Sequence, residues 1–130
     1  LLNSSNLNKN ILKNQIISKR SHLNIYRELV KLRNEPSFQW GSFSYGLITD
    51  DLFSFIRKAA YNPAYLVAMN ISTRQIQVDF SELIKNEAKI VYFIPGPDDP
   101  DEILEKYPIN SKIKINYIKL NPRNCIILSF

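Results

Sequence analysis

The chain has 130 residues, of which 45% are hydrophobic, 12% aromatic and 22% charged, the balance of one globular domain and not of a disordered segment. Three Gly, one Cys and one His exclude a collagen-like chain, a disulfide scaffold, a thiolate zinc site and a histidine-based metal site. The net charge of +5 is unevenly placed: residues 1–34 hold seven Lys and Arg against Glu28 alone, a local +6, which leaves −1 for the rest. No stretch approaches the length of apolar chain that spans a membrane, so no direct membrane insertion by this segment is expected. Leu1 to Asn10 lack the charged start and apolar centre of a signal peptide, and a chain opening on Leu1 without Met reads as trimmed from a longer parent.

From about Ile11 to Arg33 the apolar residues recur at helical spacing without Gly or Pro. The clearest part is 21–33, where Leu23, Ile25, Tyr26, Leu29, Val30 and Leu32 form a stripe that needs a partner surface. Ser21 suits the N-cap of such a helix and Ser18 an earlier one, so one or two helices are expected. Asn34-Glu35-Pro36 is the expected stop, because Pro36 cannot continue the helical hydrogen bonds. The basic side chains are interleaved with aliphatic ones. That is the pattern of a solvated helix surface, not of exposed aromatics stacking on bases, and no nucleic-acid partner is expected.

After Pro36 short β-branched and aromatic runs alternate with turn residues. Strands are predicted near Gln39–Leu47, Leu52–Arg57, Tyr65–Asn70, Arg74–Asp79, Lys89–Ile94, Ile113–Leu120 and Cys125–Phe130. In the strand near Ile113–Leu120, Ile113, Ile115, Tyr117 and Lys119 are expected on one face, and Lys112, Lys114, Asn116 and Ile118 on the other. The stretch Pro95 to Asp101 is read as a surface loop. The expected fold is mainly β: an antiparallel two-sheet sandwich of about seven strands in residues 37–130, preceded by a helical segment in residues 1–36.

Certain runs carry a family resemblance. The segment Ser21-His22-Leu23-Asn24-Ile25-Tyr26-Arg27-Glu28-Leu29-Val30-Lys31-Leu32-Arg33-Asn34-Glu35-Pro36, with Phe38-Gln39-Trp40-Gly41-Ser42-Phe43, resembles the last barrel helix and following strand of glycoside hydrolase family 13 proteins. Leu52 to Arg57 and Asn62 to Ser72 resemble the second and third strands of that family's C-terminal antiparallel β-domain, and Ile118 to Phe130 its two closing strands. Two branches share this pattern: maltase-type α-glucosidases, and the non-catalytic heavy chains of heteromeric amino-acid transporters. The stretch Ser21 to Phe43 is closer to the maltases.

The resemblance implies a non-catalytic C-terminal domain that stabilises a (β/α)₈ barrel of the same parent chain. A transporter light chain, reached through the parent, is the partner in the other branch. It implies an extracellular or cell-surface location and no cofactor. The two catalytic carboxylates of this family belong to the barrel, so no catalytic residue is assigned to this segment and it is not expected to be an enzyme alone.

The local residues agree. Asp50-Asp51 reads as a turn, and Asp98, Asp99, Asp101, Glu102 and Glu105 as a solvated acidic loop without the spacing of a calcium loop. Cys125, in an apolar strand and far along the chain from His22, reads as a small buried residue. Alternation places Phe53 and Phe55 in the core, in preference to a sugar-stacking platform with Phe38, Trp40, Phe43 and Tyr45, and Trp40 is assigned to the seam with the barrel. Asn3-Ser4-Ser5 and Asn70-Ile71-Ser72 are glycosylation triplets, Asn70 being the better candidate at a strand end. Burying the six-residue stripe contributes on the order of 10 kcal/mol before conformational entropy is charged. Leu29→Asp is therefore expected to make the chain or its parent aggregate in light-scattering assays; unchanged solubility and melting would remove the packing claim.

Overall fold

The computed structural model describes Arg27 and residues 30–130. Residues 30–33 are helical, and the chain leaves the helix where the amides of Asn34 and Glu35 donate back to the carbonyls of Lys31 and Leu32 at 3.2 and 3.0 Å. The expected stop is observed. Pro36, with no amide hydrogen to lose and a φ already near the helical value, then opens a single new turn, α1 (Pro36–Gln39). The strand expected from Gln39 accordingly begins later. Trp40 closes α1 by donating to the Pro36 carbonyl at 2.8 Å, and at Gly41 any Cβ would lie 2.1 Å from the Ser37 carbonyl oxygen.

The remaining elements are β1 (Ser42–Tyr45), β2 (Leu52–Lys58), β3 (Tyr65–Asn70), β4 (Ile76–Val78), β5 (Ala88–Ile94), α2 (Ile103–Lys106), β6 (Lys112–Ile113), β7 (Ile118–Leu120) and β8 (Cys125–Ser129). Six strands form one sheet in the order β1-β2-β3-β8-β5-β6, and β4 pairs with β7 in a second, smaller sheet. Every pairing is antiparallel. The fold is thus mainly β, an antiparallel two-sheet sandwich.

The core lies between the sheets. Leu66 and Ala68 of β3, Ile126 and Leu128 of β8, and Ala88 and Ile90 of β5 meet Val78, Ile118 and Leu120 of the small sheet. Phe80 and Ile84 from the β4–β5 connection and Ile103 from α2 fill the space between. The Phe93 and Tyr107 rings stack with centroids 4.2 Å apart, tying α2's end to β5.

Two expectations need correction. Ile113–Leu120 is not one strand: β6 pairs with β5 in the large sheet and β7 with β4 in the small one. Between them the chain changes sheet, and the Ile115 carbonyl accepts from the Phe80 amide at 2.8 Å instead of from a ladder partner. The turn at residues 115–116 resets the alternation, so Ile118 is buried while Tyr117 and Lys119 are exposed. In β5 a bulge between Ile90 and Tyr92 inserts one residue, which lets Ile90 and Phe93 both face the core. In β2 the core side carries Leu52, Ser54 and Ile56, leaving Phe53 and Phe55 on the outer face. Ser54 tolerates full burial because its hydroxyl donates to the Leu47 carbonyl at 2.8 Å.

The loop before α2 is fastened, not merely solvated. Asp99, half-buried, accepts from the Gly96 amide at 2.7 Å, the Asn121 side-chain amide at 2.9 Å and the Asn124 side-chain amide at 2.5 Å. Gly96 must lack a side chain here, since a Cβ would lie 2.4 Å from the Pro122 carbonyl oxygen. One carboxylate thereby joins the β5–α2 loop to the β7–β8 turn. Asp99→Ala is expected to lower folding stability by about 2–4 kcal/mol, because the fully buried Asn124 amide then loses this carboxylate acceptor. Urea unfolding measures this, and an unmoved midpoint would show that the loop is dispensable.

Candidate docking face

The outer face of the large sheet is also apolar. Along β3 the residues pointing away from the core are Tyr65, Val67 and Met69, opposed on β8 by Ile127 and Cys125. Leu32, Tyr65, Tyr92 and Ile127 form a second buried cluster there, with Phe38, Val67, Val91 and Ile94 packed against it. The end of the helix covers this half of the face. Ser37, fully buried, holds α1 in place: its hydroxyl donates to the Pro63 carbonyl at 2.6 Å and accepts from the Ala59 amide at 3.0 Å. Arg57 adds hydrogen bonds from Nε to the Ser37 carbonyl at 3.3 Å and from Nη2 to the Phe38 carbonyl at 2.7 Å. These fasteners set the Phe38 ring 5.0 Å from that of Tyr65. The Tyr65 hydroxyl is held above its ordinary pKa by burial first and then by the neighbouring Glu35 carboxylate.

The other half of the face bears an aromatic ladder. Phe43 stacks on Phe55 at 5.4 Å, Tyr45 meets Phe53 edge-on at 6.3 Å, and Phe53 and Phe55 lie 6.1 Å apart. Yet Phe43 is 49% exposed, Tyr45 65% and Met69 41%. A contiguous row of large apolar side chains left in water is the signature of a surface made to be covered.

No family model matches the chain. It is similar to Maltase 1 of Drosophila virilis, with 25% identity over 108 residues, which cover 83% of this chain and 16% of that protein. It is similar also to Maltase A1 of Drosophila melanogaster, 31% identical over 68 residues, 52% of this chain and 12% of the relative. Among solved structures, an isomaltulose synthase from Klebsiella superposes with a TM-score of 0.63 at 17% identity, over 90% of this chain and 19% of that one. The trehalulose synthase MutB from Pseudomonas mesoacidophila gives 0.62 at 17% identity over the same shares. In sequence the chain resembles a portion of these maltases, and in fold a portion of these synthases. It spans between 12% and 19% of the length of these relatives.

Within this β-domain, the residues singled out from the sequence fall in different places. Of the helical stripe, Leu32 is buried in the outer-face cluster and Val30 is half-buried, whereas Leu23, Ile25, Tyr26 and Leu29 lie outside the described residues, as do Asn3 and His22. Trp40 stands 77% exposed just after α1. Asn70 is not the exposed acceptor expected at a strand end. It is fully buried, its side-chain amide donating to the carbonyls of Leu120 at 2.9 Å and Arg74 at 2.8 Å. Its side-chain oxygen accepts from the amide and hydroxyl of Ser72, the third residue of its own triplet. A nitrogen committed to two internal hydrogen bonds has no room for a glycan.

Asp51 forms the turn that was expected. Its amide and that of Leu52 donate to the Thr49 hydroxyl at 3.1 and 3.0 Å, and its carboxylate pairs with Arg74. Among the described residues no group of three His, Cys, Asp or Glu is placed to hold a metal, and no helix is long and apolar enough to cross a membrane. Tyr65, Tyr92, Val67 and Ile127 were not picked out from the sequence as face residues. The available signal was the unbroken apolar run in β3, β5 and β8, which marks strands buried on both sides.

Cys125 lies at the edge of this face, and burial pushes its thiol up to about 11 from an ordinary 9.0. The same cause raises Tyr65 and Tyr107. As the pH climbs past the unfolded values the unfolded chain gives up these protons first, so stability present at neutral pH is lost at alkaline pH. Native alkylation of Cys125 by iodoacetamide at pH 8 is expected to run about 100-fold slower than that of the unfolded chain. Equal rates before and after adding urea would contradict a buried neutral thiol.

Proposed function

We propose that this domain stabilises the catalytic barrel of a maltase-like parent by laying the outer face of its large sheet against it. The observation that carries this reading is the apolar surface on both sides of one sheet, with the aromatic ladder of β1 and β2 left uncovered. The helix that reaches the face at Leu32 is then the covalent and packed link between the two domains. Trp40, beside that link, serves the same seam. The parent cleaves terminal α-linked glucose with two carboxylates supplied by the barrel. Family resemblance also supports an extracellular or cell-surface setting. The maltase relatives support this branch, and the transporter heavy chain is not favoured.

A paired substitution, Phe43→Asp with Tyr45→Asp, tests the docking. Both side chains are substantially exposed in this domain, so its own melting should shift little, within about 1 kcal/mol. In the full-length parent the same pair should cost ~2–4 kcal/mol, because two charges are then trapped in a dry seam. Thermal melting and residual maltose hydrolysis after heating read the difference. A parent that melts and hydrolyses as before would overturn the reading.

A further inference from the structure

Where residues 30–33 meet the sheet, the outer face dips into a groove of about 460 Å³. Leu32, Phe55, Val67, Met69, Ile94 and Ile127 are among the side chains that line it. None of these side chains offers a hydrogen bond worth having. At the rim stand two guanidinium groups, Arg33 and Arg123, both exposed and both without a carboxylate partner among the described residues. The position of Arg33 at a helix C-terminus has a local electrostatic benefit. Arg123 has none of that kind. It is held at the rim by a left-handed backbone, φ 64°, with its amide donating to the Asn70 carbonyl at 3.0 Å.

A dry floor beneath two unpaired cations restricts what can cover it. A wholly apolar partner would strip water from both guanidinium groups and return nothing, which is costly for a buried charge. A basic partner would add repulsion. A segment with apolar side chains and flanking carboxylates satisfies both requirements, since each guanidinium can then take two oxygens of one carboxylate in parallel.

We infer that the groove is occupied by an apolar segment of the parent's barrel carrying carboxylates opposite Arg33 and Arg123. This rests on the docking reading above and gives its partner surface a charge. The apolar floor supplies the contact area, and the two arginines set the register in which the domain sits.

The test uses the full-length parent with Arg33→Glu and Arg123→Glu together, and follows separation of the domains by chymotrypsin, whose sites these changes leave intact. Separation is expected to run at least about tenfold faster than in the unaltered parent. Lysine at both positions should restore most of the protection, because it keeps the charge. Melting of this domain alone should not change, as neither arginine has an ion-pair partner among the described residues. If the glutamate pair separates no faster while Phe43→Asp with Tyr45→Asp still lowers the melting temperature of the parent, the charged occupant is wrong and the apolar docking stands. If the glutamate pair separates no faster and the aspartate pair leaves that melting unmoved, both readings fail. If the lysine pair behaves like the glutamate pair, packing and not charge is what the arginines provide, and the inference is overturned.

Discussion

The structure depends on one constraint: the central strands of the large sheet are apolar on both faces. In β3, Leu66 and Ala68 point one way and Tyr65, Val67 and Met69 the other, and β8 repeats this with Ile126 and Leu128 against Cys125 and Ile127. A sheet of this kind cannot leave either side to water, because each exposed face would forfeit the free energy of burying it. Everything else can be read as a cover. The small sheet, the β4–β5 connection and α2 close the inner side. The helix end and α1 close half of the outer side, and the aromatic row of β1 and β2 stays exposed.

Covers must be attached, and the attachments are polar. Among the described residues the fully buried polar side chains are Ser37, Ser54, Asn70 and Asn124, and each stands at a joint between elements. Ser37 ties α1 to the β2–β3 turn, Ser54 ties β2 to the β1–β2 connection, and Asn70 ties the end of β3 to the small sheet. Asn124 works with Asp99 to bind the loop before α2. Each buried polar atom is costly unless satisfied, so these bonds give geometry more than net stability. Apolar packing drives the layers together, and the hydrogen bonds decide where the loops lie.

This division bears on function. Asp51 holds Arg74, Asp99 holds two asparagines, and Cys125 is neutral and buried. On the outer face of the large sheet the domain presents apolar area, with Arg33 and Arg123 beside it.

The local patterns of the chain were enough for the strand-rich class, the stop at Pro36 and the limits of β3, because turn residues and alternation act within a few positions. The family likeness was also legible, carried by runs such as Leu52 to Arg57 and Asn62 to Ser72. Alternation cannot say which of two apolar faces is the inner one, so Phe53 and Phe55 were assigned to the core while Ser54, satisfied by the Leu47 carbonyl, took that side. Nor can it show that Ile113–Leu120 serves two sheets, since the partners of its halves lie in β4 and β5. Asn70 read as exposed because its acceptors are contributed by Arg74 and by Leu120, the latter fifty positions away. Sequence determines which residues must be hidden; only tertiary pairing decides on which side, because burial depends on partners that the local chain does not contain.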